Sequence, residues 1–370
     1  MLVLHVVAIL AGALIIAGTI MSAVRTFIVP RAGLTHLTRW VFIALRAIFD
    51  LFARLMRSYE QIDRLFALYA PIGLLLLPAA WLFMVGIGFT LIYWGLGVGS
   101  LYVSYVLSGS SLFTLGFANP IGWSAHTVLF AEGAVGLGLI TLLISYLPTM
   151  YSAYSRREAL VTLLEIRAGT PPSALEMLRR YKTFHGLDHL SEVWTQWEEW
   201  FVEMSETHTS LTAIALFRSP HPYRSWVTAA GTVLDCAALL VSTVDTPTDP
   251  HVHLCIRAGY LALNNIASQF NIKVPAHPTV EKNAISISRE DFEKACDKLI
   301  MKGLAVKADR DKAWQDYAGW RVNYDVALLA LCRLFIAPIT AWSSDRAWHG
   351  TPHTSVARVM SHEGLRSDMS

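Results

Sequence analysis

Three long runs of apolar positions lie in the first 157 residues, and nothing like them follows except in short stretches. Residues 2–24 exceed the roughly 20 apolar residues that cross a bilayer and predict a first span. Residues 70–97 and 127–151 predict two more. No Lys or Arg occurs between Arg64 and Arg156, and Glu132 is the only acid in that interval. Between the second and third runs, residues 110–119 read SSLFTLGFAN, a polar stretch with Gly116 near its middle, preceded by a short helical pattern over residues 101–113. Non-helical backbone at membrane depth survives only when buried in protein or lining a water-filled path. The pattern therefore predicts an outer helix, a re-entrant helix and loop, and an inner helix.

Residues 37–59 are apolar on one side, while Arg46, Asp50 and Arg54 recur every four positions and so share one helical face. This predicts an amphipathic helix lying along the membrane surface within residues 36–69; the alternative is a further full span with an ion-paired stripe. From residue 155 onward the periodicity is mainly helical: residues 173–181, 187–206, 224–244, 251–270, 289–301 and 312–335. Pro-rich or Asp-rich interruptions at 170–172, 219–222, 245–250 and 274–278 separate these helices. Ser288 before Glu290 and Asp291 reads as a capped helix start. Residues 349–370 are polar and expected to be disordered.

Composition sharpens this division. With 54% apolar and 16% charged residues over 370 positions, the chain is too apolar for one soluble domain and too polar for a bundle of spans alone. The net charge is +2, and from Arg156 onward there are 23 basic and 24 acidic residues, so no basic face for nucleic acid is expected. Cys236, Cys255, Cys296 and Cys332 all lie in the charged half without a C-x-x-C pair, which suits a reducing compartment. Residues 2–24 lack the positive start of a secretory signal and read as a retained helix. Arg25 and Arg31 after the first run, and Arg156-Arg157 after the third, place those ends in the cytoplasm and the N-terminus outside.

Thr114-Leu115-Gly116-Phe117-Ala118, set between these elements, resembles the T-V-G-Y-G filter of potassium channels. The likeness, to bacterial two-transmembrane potassium-channel-like proteins, covers roughly residues 70–157. Beyond Arg157 the chain resembles a helical region that follows the same kind of pore module in actinobacterial proteins. The resemblance implies an all-α membrane protein with a potassium-channel-like pore module, an extra N-terminal span and an α-helical cytoplasmic domain. Its expected segments are residues 1–35, 36–69, 70–157, 158–348 and 349–370. It also implies a homotetramer in a bacterial inner membrane, because each chain supplies one filter and a potassium pathway uses four. The partners are then membrane lipid and monovalent cations, with a potassium ion in the filter and no other cofactor or metal.

A filter of this kind works through backbone carbonyls that replace the ion's hydration shell. Thr114 matches the family Thr, and Leu115 replaces Val without adding polarity. Gly116 matches a position where positive φ is open without a Cβ penalty. Phe117 lacks the hydroxyl of Tyr. Ala118 stands in place of the second Gly, where a left-handed alanine would cost about 1–2 kcal/mol, so the outer filter is expected to adopt another shape. Asn119 stands where many of the family carry Asp. Glu132, a carboxylate at membrane depth, is a functional candidate: a support for the filter from behind, a cation ligand, or a packed neutral carboxyl. Gly136 and Gly138, with Gly133, offer either bending points or close packing.

In the second half, Trp194, Trp197, Glu198 and Phe201 lie at helical spacing as an aromatic core face. His251, His253 and Cys255 alternate in a way that diverges on a helix and does not form a metal motif. His208, Asp235, Asp245 and Asp249 are candidates for a polar pocket, although capping and turns also explain the aspartates. No catalytic nucleophile or cofactor motif stands out, so an enzyme is not expected. The reading reached from sequence is a cation channel, with a non-conducting receptor or scaffold on the same fold as the alternative.

Overall fold

The computed structural model describes residues 2–27, 36–184, 186, 190–247 and 249–347. Arg31 and the 349–370 tail lie outside the described residues. Within them the chain is helical, and its only β feature is one antiparallel bridge, Val244 with Val306. The first six helices are α1 (Leu2–Phe27), α2 (His36–Ala53), α3 (Tyr59–Ala67), α4 (Tyr69–Gly95), α5 (Leu101–Leu112) and α6 (Trp123–Ala168). The rest are α7 (Ala174–Phe184), α8 (Leu190–Ser210), α9 (Trp226–Thr243), α10 (Pro250–Gln269), α11 (Arg289–Met301), α12 (Arg310–Arg321), α13 (Asp325–Leu334) and α14 (Ser344–Ala347), with a 3-10 turn at Thr212–Leu216.

Among the described residues four helical stretches are long and apolar enough to cross a membrane: Leu2–Thr26, Tyr59–Gly95, Trp123–Ala168 and Trp226–Thr243. The chain is a membrane protein on that ground. The fourth, α9, differs in kind, because 94% of its window is inside the protein against 17%, 44% and 11% for the others. A helix apolar on every side and enclosed by protein is a core helix.

The chain divides into two compact units, Met1–Leu51 with Leu68–Ser152, and Phe52–Ala67 with Ala153–Ser370. In the first, α1 lies along α4 with almost no side chain between them. A Cβ on Gly12 would stand 2.4 Å from the Gly88 carbonyl oxygen, so any larger residue there drives the helices apart. Small residues of this kind let membrane helices gain dispersion contacts where lipid offers no hydrophobic drive. Phe42, Leu45 and Phe49 of α2 are buried. Phe42 and Phe49 pack edge-on to Tyr69, whose hydroxyl donates to the Phe42 carbonyl at 3.1 Å. Trp40, Ile48 and Leu51 leave the opposite side of α2 apolar and exposed.

The single amphipathic helix expected within residues 36–69 is two helices. Ser58 Oγ accepts from Gln61 N at 3.3 Å, and Gln61 Oε1 accepts from Arg57 N at 3.1 Å. That reciprocal pair, a variant of the capping box, starts α3 afresh. The inner helix also runs further than expected, through Arg156-Arg157 to Ala168.

The second unit is built around α9, whose side chains are nearly all buried. Trp194, Trp197 and Phe201 of α8 are buried in the same core, as the aromatic spacing predicted, along with Ile256 and Leu263 of α10, Phe292 of α11 and Tyr317 of α12. The helix expected over residues 312–335 breaks between α12 and α13. There the Asn323 side-chain amide donates to the carbonyls of Gly319 and Trp320 at 2.8 and 3.1 Å, and Tyr324 leaves helical torsions at φ −127°.

Candidate functional site

Ser100 caps the start of α5, its hydroxyl accepting from Val103 N at 3.3 Å. From there α5 turns back along α4: Ser108 Oγ lies 3.1 Å from the carbonyl oxygen of Gly86, nine residues before the end of α4. Its far end also meets α6. Ser111 Oγ donates to Leu129 O at 2.8 Å, and a Cβ on Gly136 would stand 2.3 Å from Leu112 O. Gly136 lies 13 residues into α6, about 20 Å along it at 1.5 Å per residue. The non-helical residues 113–122 must therefore climb that depth to reach Trp123. The chain between α4 and α6 is thus a helix that runs back beside α4 followed by ten non-helical residues.

α5 ends in a Schellman turn. Thr114 N donates to Ser111 O at 2.9 Å, and Leu115 N donates to Ser110 O at 2.8 Å. The turn puts Thr114 at φ +55°, and Gly116 follows at φ +70°. Ala118 is not among the left-handed residues; the β-branched Thr114 takes that conformation instead. The reason is local: the helix end demands the left-handed residue, whichever side chain is there. Ala118 N donates to Ser110 Oγ at 3.1 Å, which fastens the loop to the last turn of α5. The Thr114 hydroxyl donates to the carbonyl of Phe113 at 2.7 Å. Thr114, Leu115, Gly116, Phe117 and Asn119 are exposed on the single chain.

Glu132 is wholly buried. Its Oε1 lies 2.5 Å from Ser108 Oγ and its Oε2 accepts from the Tyr93 hydroxyl at 2.9 Å. One carboxyl thus joins α4, α5 and α6, and neither oxygen bonds to residues 114–118. Gly136 is a close-approach position against α5, whereas a Cβ on Gly138 would meet nothing within 4 Å. α6 is one continuous helix through both.

In the second unit the four candidates for a polar pocket have separate partners. His208 is fully buried, with Arg157 Nη1 at 3.3 Å from its Nε2 and the Trp226 ring edge-on at 4.9 Å. Asp235 takes two bonds from Arg321 Nη1, at 2.6 and 2.7 Å, and one from the Tyr324 hydroxyl at 2.8 Å. Asp249 caps α10 by accepting from His251 N at 2.9 Å, and the Asp245 backbone N–H bonds to Ala305 O at 2.9 Å. Among the described residues no three His, Cys, Asp or Glu stand together as metal ligands.

Sequence reasoning passed over the buried arginines. Arg156 and Arg157 were taken together as a pair of topological charges, yet only Arg156 is exposed, in an ion pair with Glu203. Arg157 has 3% of its side chain exposed and uses all five N–H groups. They go to Glu158 Oε1 twice, Ile214 O at 3.0 Å, Phe217 O at 2.8 Å and His208 Nε2. Burial and the adjacent Arg157 charge hold His208 well below the ordinary imidazole value. Burial works against the Arg321 cation, but Asp235 and Asp325 more than offset it and keep Arg321 protonated. An Arg in an otherwise apolar helix, one position after a second Arg, is the only sequence signal that separates these roles.

No family model, curated protein or solved structure matches the chain.

Proposed function

We propose that the chain is one subunit of a homotetrameric cation pore, selective for potassium, in a bacterial inner membrane. Residues 114–118 would line the pathway with backbone carbonyls, α5 would serve as the pore helix, and α4 and α6 as the outer and inner helices. The observation that carries this reading is the re-entrant path of residues 101–122 between two helices apolar enough to span, since such backbone at membrane depth requires protein or water around it. The exposed residues 114–117 fit a segment completed by other copies of the chain. Arg25 and Arg156 favour a cytoplasmic second unit and an external N-terminus. Exposed Trp40, Ile48 and Leu51 give α2 a face for lipid.

The test is flux from liposomes holding the purified full chain, with potassium and sodium compared. Potassium-selective flux that Thr114→Ala weakens is the expected result. Equal passage of both ions would replace a potassium pore with a non-selective one. An intact tetramer that passes neither ion, before and after Ala118→Gly, would overturn conduction and leave a membrane scaffold.

A further inference from the structure

Residues 212–224, a 3-10 turn and the loop after it, are gripped from two sides. On one side stands α6 beyond Ser152. Arg157 donates to the carbonyls of Ile214 and Phe217 at 3.0 and 2.8 Å, and the Tyr154 hydroxyl donates to Arg218 O at 3.1 Å. Further along the same helix, Thr162 accepts from Arg224 Nη1 at 3.1 Å and Glu165 pairs with Arg224 Nη2. On the other side stands α3. Asp63 pairs with Arg218, the Arg218 guanidinium lies 5.6 Å above the Phe66 ring, and the Tyr223 hydroxyl donates to Glu60 Oε1 at 2.7 Å. α3 leads into α4 through Leu68 alone, which keeps near-helical torsions of φ −83° and ψ −13°.

The end of α13 completes the grip. Ile336 adopts φ +49°, a poor conformation for a β-branched residue, where a helix C-terminus usually places Gly. Its carbonyl accepts from the Tyr59 hydroxyl at 3.2 Å and from Arg218 Nη1 at 3.4 Å, while Arg218 Nη2 donates to Phe335 O at 2.9 Å. Arg218 and Asp63 are largely buried, at 13% and 9% side-chain exposure, so the pair is shielded rather than a mobile surface contact. A strained carbonyl, a shielded ion pair and a fully used guanidinium all converge on one short segment. Each of the two helices that bracket the re-entrant loop in sequence thereby has an extension fastened to it.

We propose that residues 212–224 are a tie that couples the extension of α4, through α3, to the extension of α6, so that displacing the tie moves both together. Any consequence for ion flow rests on the pore reading above; the tie itself does not.

The test is amide hydrogen exchange on the full chain in lipid nanodiscs, comparing the native protein with Asp63→Asn and, as a milder surface variant, Tyr223→Phe. For Asp63→Asn, exchange is expected to quicken tenfold or more in α3, in residues 212–224 and in residues 154–165 together, with α10 unchanged. Tyr223→Phe should give the same pattern at smaller size. Quickening of α3 alone, or no change in α3, overturns the tie. If Asp63→Asn fails to fold, Tyr223→Phe decides by the same criterion. Flux in the same samples separates the two readings: a native protein that passes no ions counts against the pore, while the exchange pattern still decides the tie.

Discussion

Replacing Glu132 by leucine asks whether a buried carboxyl holds the re-entrant segment in place. Leucine fills a similar space, so the change is one of chemistry. In the native chain Oε1 lies 2.5 Å from Ser108 Oγ and Oε2 lies 2.9 Å from the Tyr93 hydroxyl, with no solvent access. Ser108 keeps the Gly86 carbonyl at 3.1 Å, so the larger loss falls on Tyr93. A buried polar group left without its partner costs about 1–3 kcal/mol. Measured side-chain hydrogen bonds within membranes average about 0.6 kcal/mol and reach about 1.7, because the separated helices find other partners. For two bonds of unequal loss, roughly 2 kcal/mol is the fitting magnitude. At 1.36 kcal/mol per decade this is about a 30-fold rise in local opening.

Hydrogen exchange in nanodiscs reads that rise directly at residues 108–118, with the closely packed interface of α1 and α4 as internal control. Glu132→Gln keeps an acceptor for Tyr93 and should quicken exchange less than tenfold. Tyr93→Phe should fall between the two. Exchange within a factor of two of native in Glu132→Leu would refute the reasoning, since α5 would then be held by packing and by the bonds of Ser108 to Gly86 and of Ser111 to Leu129.

Arg321→Met should cost the second unit about 3–5 kcal/mol, because Asp235 and Asp325 would be left buried without their cation; Asp235→Asn added to it should recover part of the loss in urea unfolding followed by tryptophan fluorescence. Lowering the pH should loosen the grip on His208. Its folded value lies below the ordinary value of about 6.5, so the unfolded chain takes up the proton first. The stability it contributes is complete above that value and is lost as pH falls toward the folded one. A protonated imidazole would face Arg157, with Glu158 the nearest acid on the same guanidinium and the apolar Trp226 ring on its other side. His208→Gln should flatten the drop in melting temperature between pH 6.5 and 5, measured by scanning fluorimetry, and an unchanged slope would count against this account.

The apolar runs and the Gly-containing interruption were legible because the bilayer imposes length and charge limits that sequence records directly. Helix starts were equally plain where one residue decides them: Ser288 caps α11 by accepting from Asp291 N at 3.1 Å. The break before α3 was equally local, in Ser58 to Gln61, but an apolar stripe running through it hid the signal. The left-handed conformation of Thr114 was missed for another reason. Likeness to a filter pattern assigns backbone shape position by position, whereas the hydrogen bonds of a helix end set it at Thr114. The buried arginines left little local trace, since Arg157 bonds to Glu158 beside it but also to His208, Ile214 and Phe217, and Arg321 to Asp325 beside it but also to Asp235 and Trp342. Glu132 was singled out by its solitude, yet its partners Tyr93 and Ser108 lie 39 and 24 residues away.

α6 gathers these threads. Glu132 near its start joins it to the helices around the loop, and Arg157 joins it to the tie. The two lie 25 residues apart, about 38 Å along one continuous helix at 1.5 Å per residue. Backbone hydrogen bonds along a continuous helix resist local twist. Pro148 is the exception between them: it removes one of those bonds and crowds the preceding turn. The proline weakens the backbone ladder of α6 at that point.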